Sequence, residues 1–136
     1  MMHNLMTRDR TINLAAGCIS REPRGRFIPF LGGKYFLASR LLPLFPEHRI
    51  YVEVFGGSAV LLFRKDRADS EIEVYNDLDG ELVNLFTVVR DQYPAFQKRL
   101  RWLLYSREWK ETWVHTQSED PVERAVRTWY VYNSSF

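Results

Sequence analysis

The residues of this chain whose types and spacing suit chemistry gather in two glycine turns and one acid. Tyr51-Val52-Glu53-Val54-Phe55-Gly56-Gly57-Ser58-Ala59 is answered, twenty residues after Gly57, by Asp77 in Tyr75-Asn76-Asp77-Leu78-Asp79. A bare glycine lets backbone approach a ligand closely, and a carboxylate can accept hydrogen bonds from two hydroxyls at once. If Ile50 to Val54 and Glu71 to Tyr75 are parallel strands joined by a helix, the turn and the acid meet at the carboxyl ends of neighbouring strands. A ribose diol is held at such a place. The pattern therefore predicts a cofactor that contains a nucleoside. The local alternative is a βαβ unit without a ligand, since glycine serves strand-to-helix turns and aspartate serves helix starts.

Two phosphate-binding readings are tested by spacing. Gly32-Gly33-Lys34 puts a lysine at the mouth of a helix, but a Walker A loop needs a glycine five residues before the Gly-Lys pair and a Ser or Thr after it. Ile28 and Tyr35 stand there instead. A nicotinamide dinucleotide needs Gly-x-Gly-x-x-Gly to seat its pyrophosphate on a helix N-terminus, and Gly56-Gly57-Ser58-Ala59 lacks that spacing. A cofactor without pyrophosphate fits better, with a nicotinamide-binding Rossmann protein as the lesser alternative.

The elements that must position these residues follow from periodicity. Leu37, Leu41 and Leu42 recur at helical spacing between Tyr35 and Leu42, before Pro43 and Pro46 end the run. A helix from Ala59 to about Lys65 follows the second glycine turn, and a polar connection at Arg67 to Ser70 leads to the second strand. A helix from about Glu81 to Gln92, N-capped by Asp79, buries Leu82, Leu85, Phe86 and Val89 and covers one face of the sheet. Between Phe96 and Thr116, Phe96, Leu100 and Leu103 form an apolar stripe, and Trp102 and Trp109 are spaced for one helical face. The basic residues among these aromatics allow a nucleic-acid surface, but the plainer reading is an amphipathic helix with snorkelling side chains. Asp120-Pro121 starts a last helix with Val122, Ala125, Val126, Trp129 and Tyr130 on its buried side.

The bulk numbers agree with one α/β domain. The chain has 136 residues, 46% of them apolar, enough for a real core. A net charge of +2 argues weakly for polyanions, and the single Cys18 rules out an internal disulfide or a thiolate metal cluster. No signal-peptide core and no apolar run of membrane-spanning length is visible, so a cytoplasmic protein with no membrane and no metal partner is expected. Residues 1–26, with scattered arginines and no periodicity, are expected to be a poorly ordered basic arm.

Three stretches together resemble a known family. Pro29-Phe30-Leu31-Gly32-Gly33-Lys34, Tyr51 to Leu62, and Val74-Tyr75-Asn76-Asp77-Leu78-Asp79-Gly80-Glu81-Leu82-Val83-Asn84 resemble, in order and spacing, the Dam-like (alpha-class) N6-adenine DNA methyltransferases, particularly phage and prophage members. The resemblance implies a partial Rossmann-like fold that binds S-adenosyl-L-methionine, with double-stranded DNA as substrate. Phe30 stands where the family has an aromatic beside the cofactor. Gly33 and Lys34 match the turn whose lysine lies near the methionine part. Glu53, Phe55 and Gly57 match the Glu-Pro-Phe-x-Gly loop, with Val54 for the usual proline and Ala59 for a later glycine. Asp77 matches the acid that takes the ribose hydroxyls or the adenosine edge.

One family feature is missing from the sequence. The resemblance implies a catalytic Asp/Asn-Pro-Pro-Tyr motif that holds the flipped adenine, and none occurs here; Asp120-Pro121-Val122-Glu123 reads as a helix start. Residues 27–136 are thus expected to be the N-terminal, cofactor-binding part of a methyltransferase domain, ending before the target-recognition region. Such a part would be inactive alone and would look to a complementary C-terminal fragment. A catalytically dead remnant or an interaction module is the competing expectation.

Overall fold

The computed structural model describes residues 26–135. The expected arm at 1–26 lies outside the described residues except for Arg26, and Phe136 lies outside them too. At the centre are two parallel strands, β1 (Ile50–Glu53) and β2 (Ile72–Tyr75), paired Ile50 with Ile72, Tyr51 with Glu73, Val52 with Val74 and Glu53 with Tyr75. The period-two alternation divides β1 cleanly: Tyr51 and Glu53 are buried, whereas Ile50 and Val52 are exposed. Among the described residues the helices therefore lie on one face, and the β-branched residues Ile50, Val52 and Ile72 of the other face are exposed.

Helix α1 (Ala38–Leu41) is preceded by a turn in which the Lys34 carbonyl accepts from the N–H groups of Leu37 and Ala38. It is followed by a 3-10 turn at Leu42–Leu44 that contains Pro43. The helix expected over Tyr35 to Leu42 is thus one turn long. Leu41 and Leu42 pack on the core, but Ala38 is the buried residue and Leu37 is exposed. Helix α2 (Val60–Arg64) joins β1 to a 3-10 turn at Arg67–Asp69 that leads into β2. Lys65, at the end of α2, is almost fully buried; its Nζ pairs with Glu73 of β2 at 2.6 Å and donates to the Asp66 carbonyl.

The remaining helices form the bulk of the core. Helix α3 (Gly80–Asp91) starts where Asp79 accepts from the Glu81 N–H at 2.9 Å, and α6 (Pro121–Ser134) starts where Asp120 accepts from Val122 and Glu123. Helix α4 (Tyr93–Leu100) has Pro94 in its first turn, so this proline opens a helix as well as following one. Leu82, Leu85, Phe86 and Val89 of α3 are buried as the pattern predicts, with Val122, Ala125, Val126 and Tyr130 of α6 and Phe96 and Leu100 of α4. The long flank of α3 lies on α6, and Arg124 forms a forked pair with Glu81 between them. Contact with the sheet runs through Phe86, whose ring meets Tyr75 at 4.8 Å.

The segment from Phe96 to Thr116 is not one helix. After α4 the chain turns and restarts as α5 (Arg107–His115), capped by Ser106. The turn is held by the buried Tyr130 hydroxyl, which donates to the Ser106 carbonyl at 2.9 Å and accepts from the Ser106 N–H at 2.6 Å. Trp102 is left 81% exposed, on a different element from Trp109, so the shared face expected from their spacing does not form. Trp109 stacks on Trp113, and Trp113 meets Tyr130 edge-on.

Because one hydroxyl satisfies both backbone groups of Ser106, Tyr130→Phe removes two hydrogen bonds while keeping the ring. We expect it to cost about 1–3 kcal/mol, read as a lower urea midpoint with an unchanged slope.

Candidate functional site

The two glycine turns face each other across a small pocket lined by Phe30, Gly32, Gly33, Lys34, Glu53, Phe55, Gly56, Gly57, Ser58, Val60 and Leu61. Its cavity volume is about 150 Å³. Six of the seven residues singled out from sequence, Phe30, Gly33, Lys34, Glu53, Phe55 and Gly57, therefore come together; the seventh, Asp77, lies behind the turn. Spacing alone did not single out Ser58, Val60 and Leu61, which reach the pocket because α2 begins at its floor.

The glycine turn is fastened to the end of β2 by four hydrogen bonds. The Gly56 N–H donates to the Asn76 carbonyl at 2.9 Å, and the Asn76 side chain donates back to the Val54 carbonyl at 2.9 Å. The Gly57 N–H donates to Asp77 Oδ2 at 2.8 Å, and the Tyr75 hydroxyl donates to the Gly57 carbonyl at 2.8 Å. The other oxygen of Asp77 accepts from the Asp79 N–H at 2.9 Å. Asp77 thus spends one lone pair of each oxygen on backbone, and each oxygen keeps a second.

Two of the glycines are required on steric grounds. A Cβ on Gly56 would run into the Tyr75 ring. Gly57 has a φ of +52°, in the left-handed region, and a Cβ there would approach the Phe30 ring to 3.2 Å. Ala59, which stands for a glycine in the resembling family, adopts a φ of 54°. It therefore takes the left-handed conformation that a glycine would take, and the turn keeps its course into α2.

Glu53 is the chemically unusual residue of the pocket. It points inward from β1 and is only 7% exposed, and its Oε2 has no hydrogen-bond partner among the described residues. Burial pushes its carboxyl up to about 7, against the opposing pull of Lys34, the Tyr51 hydroxyl and the Leu62 N–H. Lys34 itself is exposed at the rim, and Phe55 projects beside it, 78% exposed. The pocket thus offers an orphaned buried acceptor, a cation at its mouth, bare backbone at two turns and aromatic walls. That set suits a small zwitterion attached to a flat ring. Among the described residues, no cluster of His, Cys, Asp or Glu is suited to a metal ion, and no helix is long and apolar enough to cross a membrane.

The clamp separates structural from binding residues. In the protein without ligand, Asp77→Ala is expected to lower unfolding stability by about 2 kcal/mol, because two backbone donors lose a charged acceptor. Lys34→Ala, at an exposed rim position, is expected to stay within about 0.5 kcal/mol of the parent. Chemical denaturation of the three proteins checks both expectations.

A family model described as D12 class N6 adenine-specific DNA methyltransferase matches residues 30–136. No curated protein matches the chain.

Proposed function

The chain belongs to the D12 class N6 adenine-specific DNA methyltransferases, and from that premise we propose that its pocket binds S-adenosyl-L-methionine for methylation of adenine N6 in double-stranded DNA. The observation that carries the reading is Glu53, a buried acid in the lining of a pocket between two glycine turns, whose Oε2 has no hydrogen-bond partner among the described residues. The residues present fit this cofactor. Glu53 would take its ammonium group, and Lys34 its carboxylate. Gly33 and Gly57 leave room where a Cβ would press on Phe30. Phe30 and Phe55 would flank its flat parts, and Asp77, which does not line the pocket, would act through the Gly57 turn that it holds. When bound, the cofactor supplies a methyl group on a positively charged sulfur.

The protein's own residues set the conditions for binding. Below about pH 7 Glu53 carries a proton and offers a neutral acid to an ammonium group; above it, a carboxylate. The sign for stability is opposite to that of an ordinary paired acid. Between the usual carboxylate range and about 7, the folded state holds a proton that the unfolded state has lost, so this group's contribution to stability falls as pH rises through that window. A bound ammonium reverses the preference, because it favours the charged form.

These residues contain no Asp/Asn-Pro-Pro-Tyr, and we propose that they serve cofactor binding, with methyl transfer dependent on a complementary segment that carries such a motif. Two outcomes are expected. Calorimetric titration with S-adenosylmethionine shows saturable binding that tightens by up to about tenfold per unit between pH 5.5 and 7, and Glu53→Gln abolishes that slope; a slope unchanged by Glu53→Gln sinks the assignment. The 136-residue chain alone transfers no labelled methyl to unmethylated DNA; transfer that disappears in Lys34→Ala would show these residues to be sufficient.

A further inference from the structure

Phe30 is a wall of the pocket, yet it sits in a stretch that has turns and no regular element between Arg26 and Leu37. Its backbone is fixed by a turn, the Gly33 N–H donating to the Phe30 carbonyl at 3.1 Å. With little regular backbone around it, the orientation of this ring depends on the side chains packed against it. On the pocket side the neighbour is Gly57. A second neighbour is Tyr132 of α6, stacked at 5.7 Å between centroids with 20° between the ring planes.

Tyr132 is itself tied down. Its hydroxyl donates to Asp79 Oδ2 at 3.4 Å, and the other oxygen of Asp79 caps α3. Burial first, then the nearby Asp79, pushes this hydroxyl up to about 12, so it is a donor at neutral pH. Tyr132 does not line the pocket, and the rest of α6 packs on α3, α4 and α5. The stack is therefore a link between α6 and the cofactor pocket.

We propose that Tyr132 is a positioning residue: from α6 it holds the Phe30 ring against Gly57 and so sets the shape and affinity of the pocket. The inference rests on the reading of this pocket as the S-adenosylmethionine site. The ring face, more than the hydroxyl, carries the effect, because the hydrogen bond is long and the stack is well aligned.

The experiment uses the full chain labelled with fluorophenylalanine, with the Phe30 signal assigned through Phe30→Leu. Tyr132→Leu is expected to move the Phe30 fluorine resonance and to weaken S-adenosylmethionine binding by about fivefold. Tyr132→Phe, which keeps the ring, should stay within about twofold of the parent. Tyr93→Leu removes a half-buried ring that does not line the pocket; it should lower thermal stability without changing affinity. A Phe30 resonance indifferent to Tyr132→Leu overturns the proposal, and so does equal affinity in the parent and Tyr132→Leu. If the parent itself fails to bind the cofactor, the proposed function fails first and the positioning role falls with it.

Discussion

A strand end grips a glycine turn, and the rest of the site follows from that grip. Left to itself, Phe55-Gly56-Gly57-Ser58 would sample many conformations, because glycine pays the largest backbone entropy on ordering. Tyr75, Asn76 and Asp77, three consecutive residues leaving β2, remove that freedom by contacting Val54, Gly56 and Gly57. Once the turn is set, Ala59 enters its left-handed conformation, α2 starts, and Glu53 is enclosed beneath it with one oxygen unpartnered. The pocket's unusual acid is thus a by-product of how tightly the turn is closed.

The same arrangement separates two jobs that the residue pattern alone leaves merged. An acid at a strand end twenty residues from a glycine turn reads as a ligand for ribose. In the folded chain Asp77 first meets the Gly57 and Asp79 N–H groups, so its loss disturbs the turn before it disturbs any ligand. Lys34 and Glu53 are different in kind. One stands exposed at the rim, where its charge opposes the upward shift of the other, and the other is held in a place that costs it its ordinary acidity.

Much of this was legible in the residue order, for identifiable reasons. The two glycine turns, the parallel strands and the caps at Asp79 and Asp120 are local signals, each decided within a few neighbours. What was not legible depends on distant partners. Nothing near Ser106 announces that Tyr130, far along the chain, will bend the backbone there and separate Trp102 from Trp109. The single turn of α1 reflects Pro43 and the packing of Ala38, where leucine spacing alone pointed to Leu37. Tyr75 reads as a strand residue until its hydroxyl is seen on the Gly57 carbonyl, and Tyr132 reads as part of an amphipathic stripe until its ring is seen on Phe30.

The clamp joins residues 54 to 77, whereas the stack that backs the pocket joins residues 30 and 132. Closing the first loop costs little chain entropy, and its partners leave the ribosome close together. The second closure joins residues far apart in the chain and depends on the placement of α6 against α3 and α4. During synthesis, therefore, the floor of the pocket is built early and its aromatic wall last. A nascent chain acquires the glycine cradle well before the ring of Tyr132 can back Phe30, whereas the face of Ile50, Val52 and Ile72 stays exposed throughout, since α6 packs on α3, α4 and α5.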